Sequence, residues 1–272
     1  MWFKVVAMIW RPFMRQDWPP SVNRRTGRFL KVARCPYTRI ISRLINYEKA
    51  MTEKSTARVK QRKPGRPEGT SAVRDEIMDT AEAQFAELGY AGTKMREIAA
   101  ATNVTQAMIS YYFGSKYGLF EETFLRRGQV ISKQRVDSLE ALLDKGTPTV
   151  REIVHAFLSP TLALRATSQG RSFLRLQARL HTEPPEISYK LRTHAYGSST
   201  QRYVEALRLA LPGLGELDAY WRMTLMVGTY LYAFSDTHRM EEMTPKGLYD
   251  PEDTEALIDQ VTRFVVGGFQ AP

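Results

Sequence analysis

The sequence predicts an all-α protein. Three observations carry this. Apolar residues recur at helical spacing from Ser71 almost to the end, and Pro and Gly punctuate the pattern at helix-length intervals. No strand-like alternation with hairpin turns interrupts it. About nine helices and no sheet are expected. At 272 residues the chain can hold one large or two modest domains, and 43% hydrophobic residues suffice for a packed core.

The N-terminal segment differs from the rest. Residues 1–50 carry 11 Lys or Arg against 2 Asp or Glu, and residues 51–70 carry 6 against 2. Beyond residue 70 the chain is close to neutral, so the net charge of +10 belongs to its first quarter. A wholly basic, histone-like protein is excluded, and a basic arm that meets a polyanion is not. Pro12, Pro19, Pro20 and Pro36 break any long helix here. Met51 opens a stretch that reads like an ordinary start, so residues 1–50 are either an upstream extension or a basic tail. A single cysteine, Cys35, excludes a disulfide scaffold and a Cys-based zinc site. The short apolar run Val5–Trp10 is neither a membrane span nor a signal peptide, which predicts a soluble cytoplasmic protein without membrane contact. Lys63-Pro-Gly-Arg66-Pro is either a solvated linker or an extended arm whose Lys63 and Arg66 enter a minor groove.

The first helix is predicted from an N-cap at Ser71 to a stop at Gly89, with Ile77, Ala81, Phe85 and Leu88 on one face. Thr93 is expected to cap a short helix that ends near Thr102. Asn103 stands where a tight turn needs a left-handed residue. Thr105 caps a second short helix to about Phe113. Two helices so joined form a helix-turn-helix, here about residues 94–113. Ala99 is small where the helices cross, and Ile98, Val104, Ile109 and Tyr112 form the apolar seam. Gln106, Ala107 and Ser110 face outward with groups that suit base edges. Ser115 caps the next helix, with Lys116 in its first turn.

The run Ala83-Gln-Phe-Ala-Glu-Leu-Gly-Tyr, Gly92-Thr, Arg96-Glu-Ile-Ala, Val104-Thr and Tyr112-Phe-Gly-Ser-Lys resembles the TetR/AcrR family of bacterial transcriptional regulators. The resemblance implies an N-terminal helix-turn-helix DNA-binding domain over residues 71–131. It also implies a C-terminal helical ligand-binding and dimerisation domain over residues 132–272, with residues 1–70 as extension and arm. Thr93, Tyr112 and Lys116 would then hold phosphates, Thr105, Gln106, Ala107, Ser110 and Tyr111 would read bases, and Lys94 would belong to the same DNA-binding set. Three positions depart from the family habit: Asn103 replaces Gly, Ser110 replaces Tyr, and Tyr112 replaces His.

The second half shows no Gly-x-Ser-x-Gly, His-Glu-x-x-His or P-loop motif, so no enzyme activity is expected. His155, His181, His194 and His238 are scattered and form no metal pair at i, i+4, so neither metal nor cofactor is expected. Residues 218–234 are apolar on almost every side and should be buried all round. Leu257, Val261, Phe264 and Val265 share a face of the last helix. The resemblance implies that helices near 218–238 and 252–269 pair with those of a second copy. Phe157, Phe173, Trp221, Met226 and Tyr230 are either plain core residues or candidates for a ligand pocket. The function implied is a homodimeric repressor released from a double-stranded DNA operator by a small, largely apolar ligand. An activator or dual regulator of the same fold is the alternative, with a helical enzyme further behind.

Overall fold

The computed structural model describes residues 68–272, so the arm with Lys63 and Arg66, and Cys35, lie outside the described residues. Ten α-helices follow in order: α1 Glu68–Gly92, α2 Met95–Ala101, α3 Gln106–Phe113, α4 Lys116–Leu143, α5 Val150–Leu162, α6 Ser168–Leu180, α7 Pro185–Ala210, α8 Glu216–Phe234, α9 Arg239–Met243 and α10 Thr254–Gln270. A 3-10 turn, Ala163–Ala166, joins α5 to α6. Among the described residues there is no strand.

The helix borders follow from local chemistry. Helix α1 begins upstream of the expected cap, so Ser71 lies within its first turns. Nothing after Pro67 in the sequence forbids a helix there. Gly89 breaks the helical path at φ 71°, a left-handed value open to glycine at no steric cost. Pro160 sits inside the last turn of α5, and the chain tightens into the 3-10 turn directly afterwards. Thr149 caps α5 in a reciprocal capping box with Glu152.

Two apolar clusters hold the fold. In the head (α1–α3 and the start of α4), Ile77, Phe85, Ile98, Ile109 and Phe120 are fully buried. That cluster continues into α6 through Phe173, Leu176 and Leu180. Leu88, expected on the same face, is exposed, because Gly89 turns the chain away before α1 reaches another neighbour. The second cluster joins α4, α5, α7, α8 and α10 around Phe157, Tyr203, Met226, Phe234 and Phe269.

Polar contacts fix the layers. Glu82 of α1 is buried and accepts from Arg127 Nε at 2.8 Å and Arg126 Nη2 at 3.4 Å. Burial raises its pKa, and the two arginines of α4 pull it back only in part. Glu183, just beyond α6, accepts the Tyr90 backbone N–H at 2.8 Å, and Arg179 Nη2 donates to Glu87 O at 2.8 Å. Ser132 and Ser199 share a hydroxyl hydrogen bond of 2.9 Å where α4 crosses α7.

Helix α8 is not buried all round in the protomer. Its inner side, with Met223, Met226 and Tyr230, is buried, but Leu217, Trp221, Leu225 and Tyr232 point outward. Trp221 is 60% exposed. On α10, Val261 and Val265 are buried while Phe264 is 72% exposed. Gly228, Gly267 and Gly268 stand on these helices with open space beyond their Cα atoms. Together α8 and α10 present an apolar face with small residues in it.

Candidate nucleic-acid interface and cleft

The head sets up one exposed helix face. Asn103 takes φ 50°, the left-handed turn between α2 and α3. The Thr105 hydroxyl accepts the Met108 N–H at 3.2 Å and so caps α3, a contribution of about 1 kcal/mol. Ile109 and Phe113 anchor the inner side of α3, and Ala99 is buried where α2 passes. Gln106, Ala107, Met108, Ser110 and Tyr111 are left outside, with Tyr111 81% exposed. Tyr112 is half-buried, packs on the head cluster, and meets the Tyr111 ring edge-on at 5.5 Å. The N-terminal end of α3 adds free backbone N–H groups that favour phosphate oxygens.

Two lysines of the head lie just before α2 and just after α3 in the chain. The Lys116 Nζ donates to Ala91 O at 3.2 Å and lies 4.7 Å from the centre of the Tyr90 ring. Partial burial lowers its pKa, against a raising pull from Glu183. Ser115 caps α4 through the Gly118 N–H at 3.0 Å, which fixes where Lys116 stands. Lys94 is exposed, pairs with Glu97 at 3.1 Å, and is itself the N-cap of α2.

Thr93 requires a correction. It does not cap α2, and it is 1% exposed. Its hydroxyl donates to Gly89 O at 2.8 Å and Gln84 O at 3.1 Å. The Gly89 carbonyl also accepts the Thr93 N–H at 3.3 Å, so Thr93 is turned inward and braces the turn instead of facing a phosphate.

A cleft of about 420 Å³ opens between α7 and α8, floored by α4 and α5. Of the five pocket candidates, Phe157 and Tyr230 line it. Phe173 instead packs against Phe124, ring centres 5.3 Å apart, in the head cluster. Met226 is core, and Trp221 lies on the outer face. Sequence reasoning missed Arg135, Tyr196 and Arg192, which also line the cleft. A signal for Arg135 existed: Gly128, Ile131, Ser132, Arg135 and Leu139 form one buried stripe of α4 at helical spacing.

At the rim, Arg192 Nη1 lies 3.2 Å from His181 Nδ1. Burial, and then the nearby Arg192 charge, push the His181 imidazole down to about 4. A base whose pKa falls on folding contributes stability that is complete above its unfolded value near 6.5. That contribution fades as pH drops from there through about 4. Between pH 6.5 and 4 the wild type should therefore lose thermal stability faster than His181→Gln, measured by Tm in matched buffers. Parallel pH profiles would contradict this.

Fold and exposed face together define an all-helical protein with a helix-turn-helix head on a helical body. The family description "Bacterial regulatory proteins, tetR family" matches residues 77–123, and "Tetracyclin repressor-like, C-terminal domain" matches residues 155–268. The Bacillus subtilis (strain 168) protein named "Probable HTH-type transcriptional regulator YttP" is 44% identical over 50 residues, 18% of this chain and 24% of that protein. The Staphylococcus aureus (strain Newman) regulator IcaR, named as the negative transcriptional regulator of the biofilm operon icaADBC, is 37% identical over 51 residues, 19% of this chain and 27% of its own. The chain thus matches these two relatives over about a quarter of their length. The crystal structure of a TetR-family transcriptional regulator from Bordetella parapertussis superposes with a TM-score of 0.54 at 19% identity, covering 71% of this chain and 93% of that one. The chain belongs to the TetR/AcrR family of regulators. No helix among the described residues is long and apolar enough to cross a membrane.

Proposed function

We propose that the protein is a dimeric transcriptional repressor that binds a double-stranded DNA operator through α3 and is released by a small ligand held in the body. The observation that carries this reading is the outer face of α3, where Gln106, Ala107, Ser110 and Tyr111 are exposed over a buried Ile109 and Phe113. Such a face fits a major groove, with Gln106 suited to adenine and Ala107 to a thymine methyl. Lys116 and Lys94 flank it as phosphate contacts. The apolar face of α8 and α10 would join two copies, placing two recognition helices one DNA turn apart or a multiple of it. A ligand releases DNA only by favouring the DNA-incompetent arrangement, and switching most of the population takes a preference of about 10⁴-fold.

The test begins with an operator selected from a random duplex library. Lys116→Ala should weaken binding about equally on all sequences and flatten the salt dependence. Gln106→Ala should cost about 1–3 kcal/mol on the selected site and relax preference at one base-pair position in each half-site. Equal, sequence-independent losses from both would overturn these roles, and failure to enrich any sequence would overturn operator recognition.

A further inference from the structure

Arg135 is a buried cation without a counter-charge. It is 1% exposed. Its Nε donates to Phe157 O and its Nη2 to Thr161 Oγ1, each at 2.9 Å, and both acceptors are neutral. Among the described residues it forms no ion pair, and Nη1 has no acceptor. Taking a charge out of water is costly unless a partner offsets it. The ring centre of Phe157 lies 3.6 Å from the guanidinium carbon, and those of Tyr230 and Tyr196 lie at 5.4 and 5.7 Å. Their faces offset part of that cost, but none of them carries a negative charge.

The cleft around Arg135 is short of anions and rich in donors. No Asp or Glu lines it, whereas Arg192 and His181 stand at its rim. The hydroxyls of Tyr196 and Tyr230 both accept from Gln177 Nε2, at 3.0 and 3.3 Å. An accepting phenol still has its own proton to give. Burial raises the Tyr196 pKa, so that proton stays in place at neutral pH.

We infer that this cleft takes an organic carboxylate, whose oxygens accept from Arg135 and from the hydroxyls of Tyr196 and Tyr230, with its apolar body against Phe157 and Val227. The inference deepens the ligand-responsive reading above and rests on it. A planar pair of oxygens matches the guanidinium fork. A neutral alcohol would leave Arg135 uncompensated, and an amine would meet two like charges.

Calorimetry on the full chain, without DNA, tests this with 4-phenylbutyrate, 4-phenylbutan-1-ol and 4-phenylbutylamine, which differ only in the head group. The acid should bind at least about tenfold more tightly than the alcohol, and the amine should not bind. Tyr196→Phe with Tyr230→Phe should weaken the acid a few-fold and leave the alcohol unchanged. Arg135→Met should abolish the preference for the acid. Because that change also removes bonds to α5, Arg135→Lys serves as the second variant, and it should keep the preference at reduced affinity. Equal binding of acid and alcohol, or no binding of any probe at millimolar concentration, would overturn the inference. Operator binding is measured separately, so a negative result here leaves it untouched. Acid binding that leaves operator affinity unchanged would instead refute ligand release and keep the carboxylate site.

Discussion

With Trp221 and Phe264 both replaced by glutamate, the protein should sediment as a folded monomer and lose at least about a hundredfold in operator affinity. The fold should survive, because both side chains are mostly exposed in the protomer and neither belongs to a core cluster. The interface should not. An apolar face of this kind is seldom left to water, and four carboxylates brought into it from two copies would be desolvated without partners. The loss on DNA follows from valency. Once one head is bound, the second meets its half-site at an effective concentration set by the dimer, and that advantage is worth 10²–10⁴. Analytical ultracentrifugation gives the mass, circular dichroism the helicity, and anisotropy the affinity. A double variant that remains dimeric would place the interface elsewhere.

Gly118→Ala should be the most damaging single-methyl change in the head. A Cβ at Gly118 would lie 2.1 Å from Phe113 O, a backbone atom at the end of α3. No rotamer relieves such a contact, so α3 and α4 must separate. The cost should be roughly 3 kcal/mol, at the upper end for overpacking, and Tm should fall by roughly 6–12 °C for a chain of this size. Operator affinity should fall as well if the outer face of α3 reads DNA as proposed, since the same junction sets the positions of Lys116 and α3. Gly213→Ala is the control, since a Cβ there meets nothing within 4 Å and its φ is not left-handed. If Gly118→Ala left both Tm and affinity unchanged, the tight junction would be refuted.

The sequence was most legible where the rules are local. Thr105 and Ser115 cap their helices, and Asn103 takes the left-handed turn, because each conformation is decided within four residues. Reading failed where a distant partner decides. Thr93 looked like a free cap, yet its hydroxyl turns inward to the Gly89 and Gln84 carbonyls of α1. Phe173 and Trp221 are both large and aromatic, and composition could not separate them. Phe173 sits under the head, and Trp221 faces outward. Arg135 was not singled out in the sequence, because its stripe of α4 acquires a meaning only once α5 and α7 are laid across it.

The hydrogen bond from the Tyr90 N–H to Glu183 bears on the order in which the molecule is finished during synthesis. Its two residues are 93 positions apart. At about 5–20 residues per second, the carboxylate leaves the ribosome roughly 5–20 s after the amide it must satisfy. Phe173, which covers Phe124, is made in the same interval. For that period the head lacks both a hydrogen-bond partner and one wall of its core. A nascent chain therefore has the sequence of α2 and α3 well before the head around them is closed, and the head becomes complete only when α6 is already there.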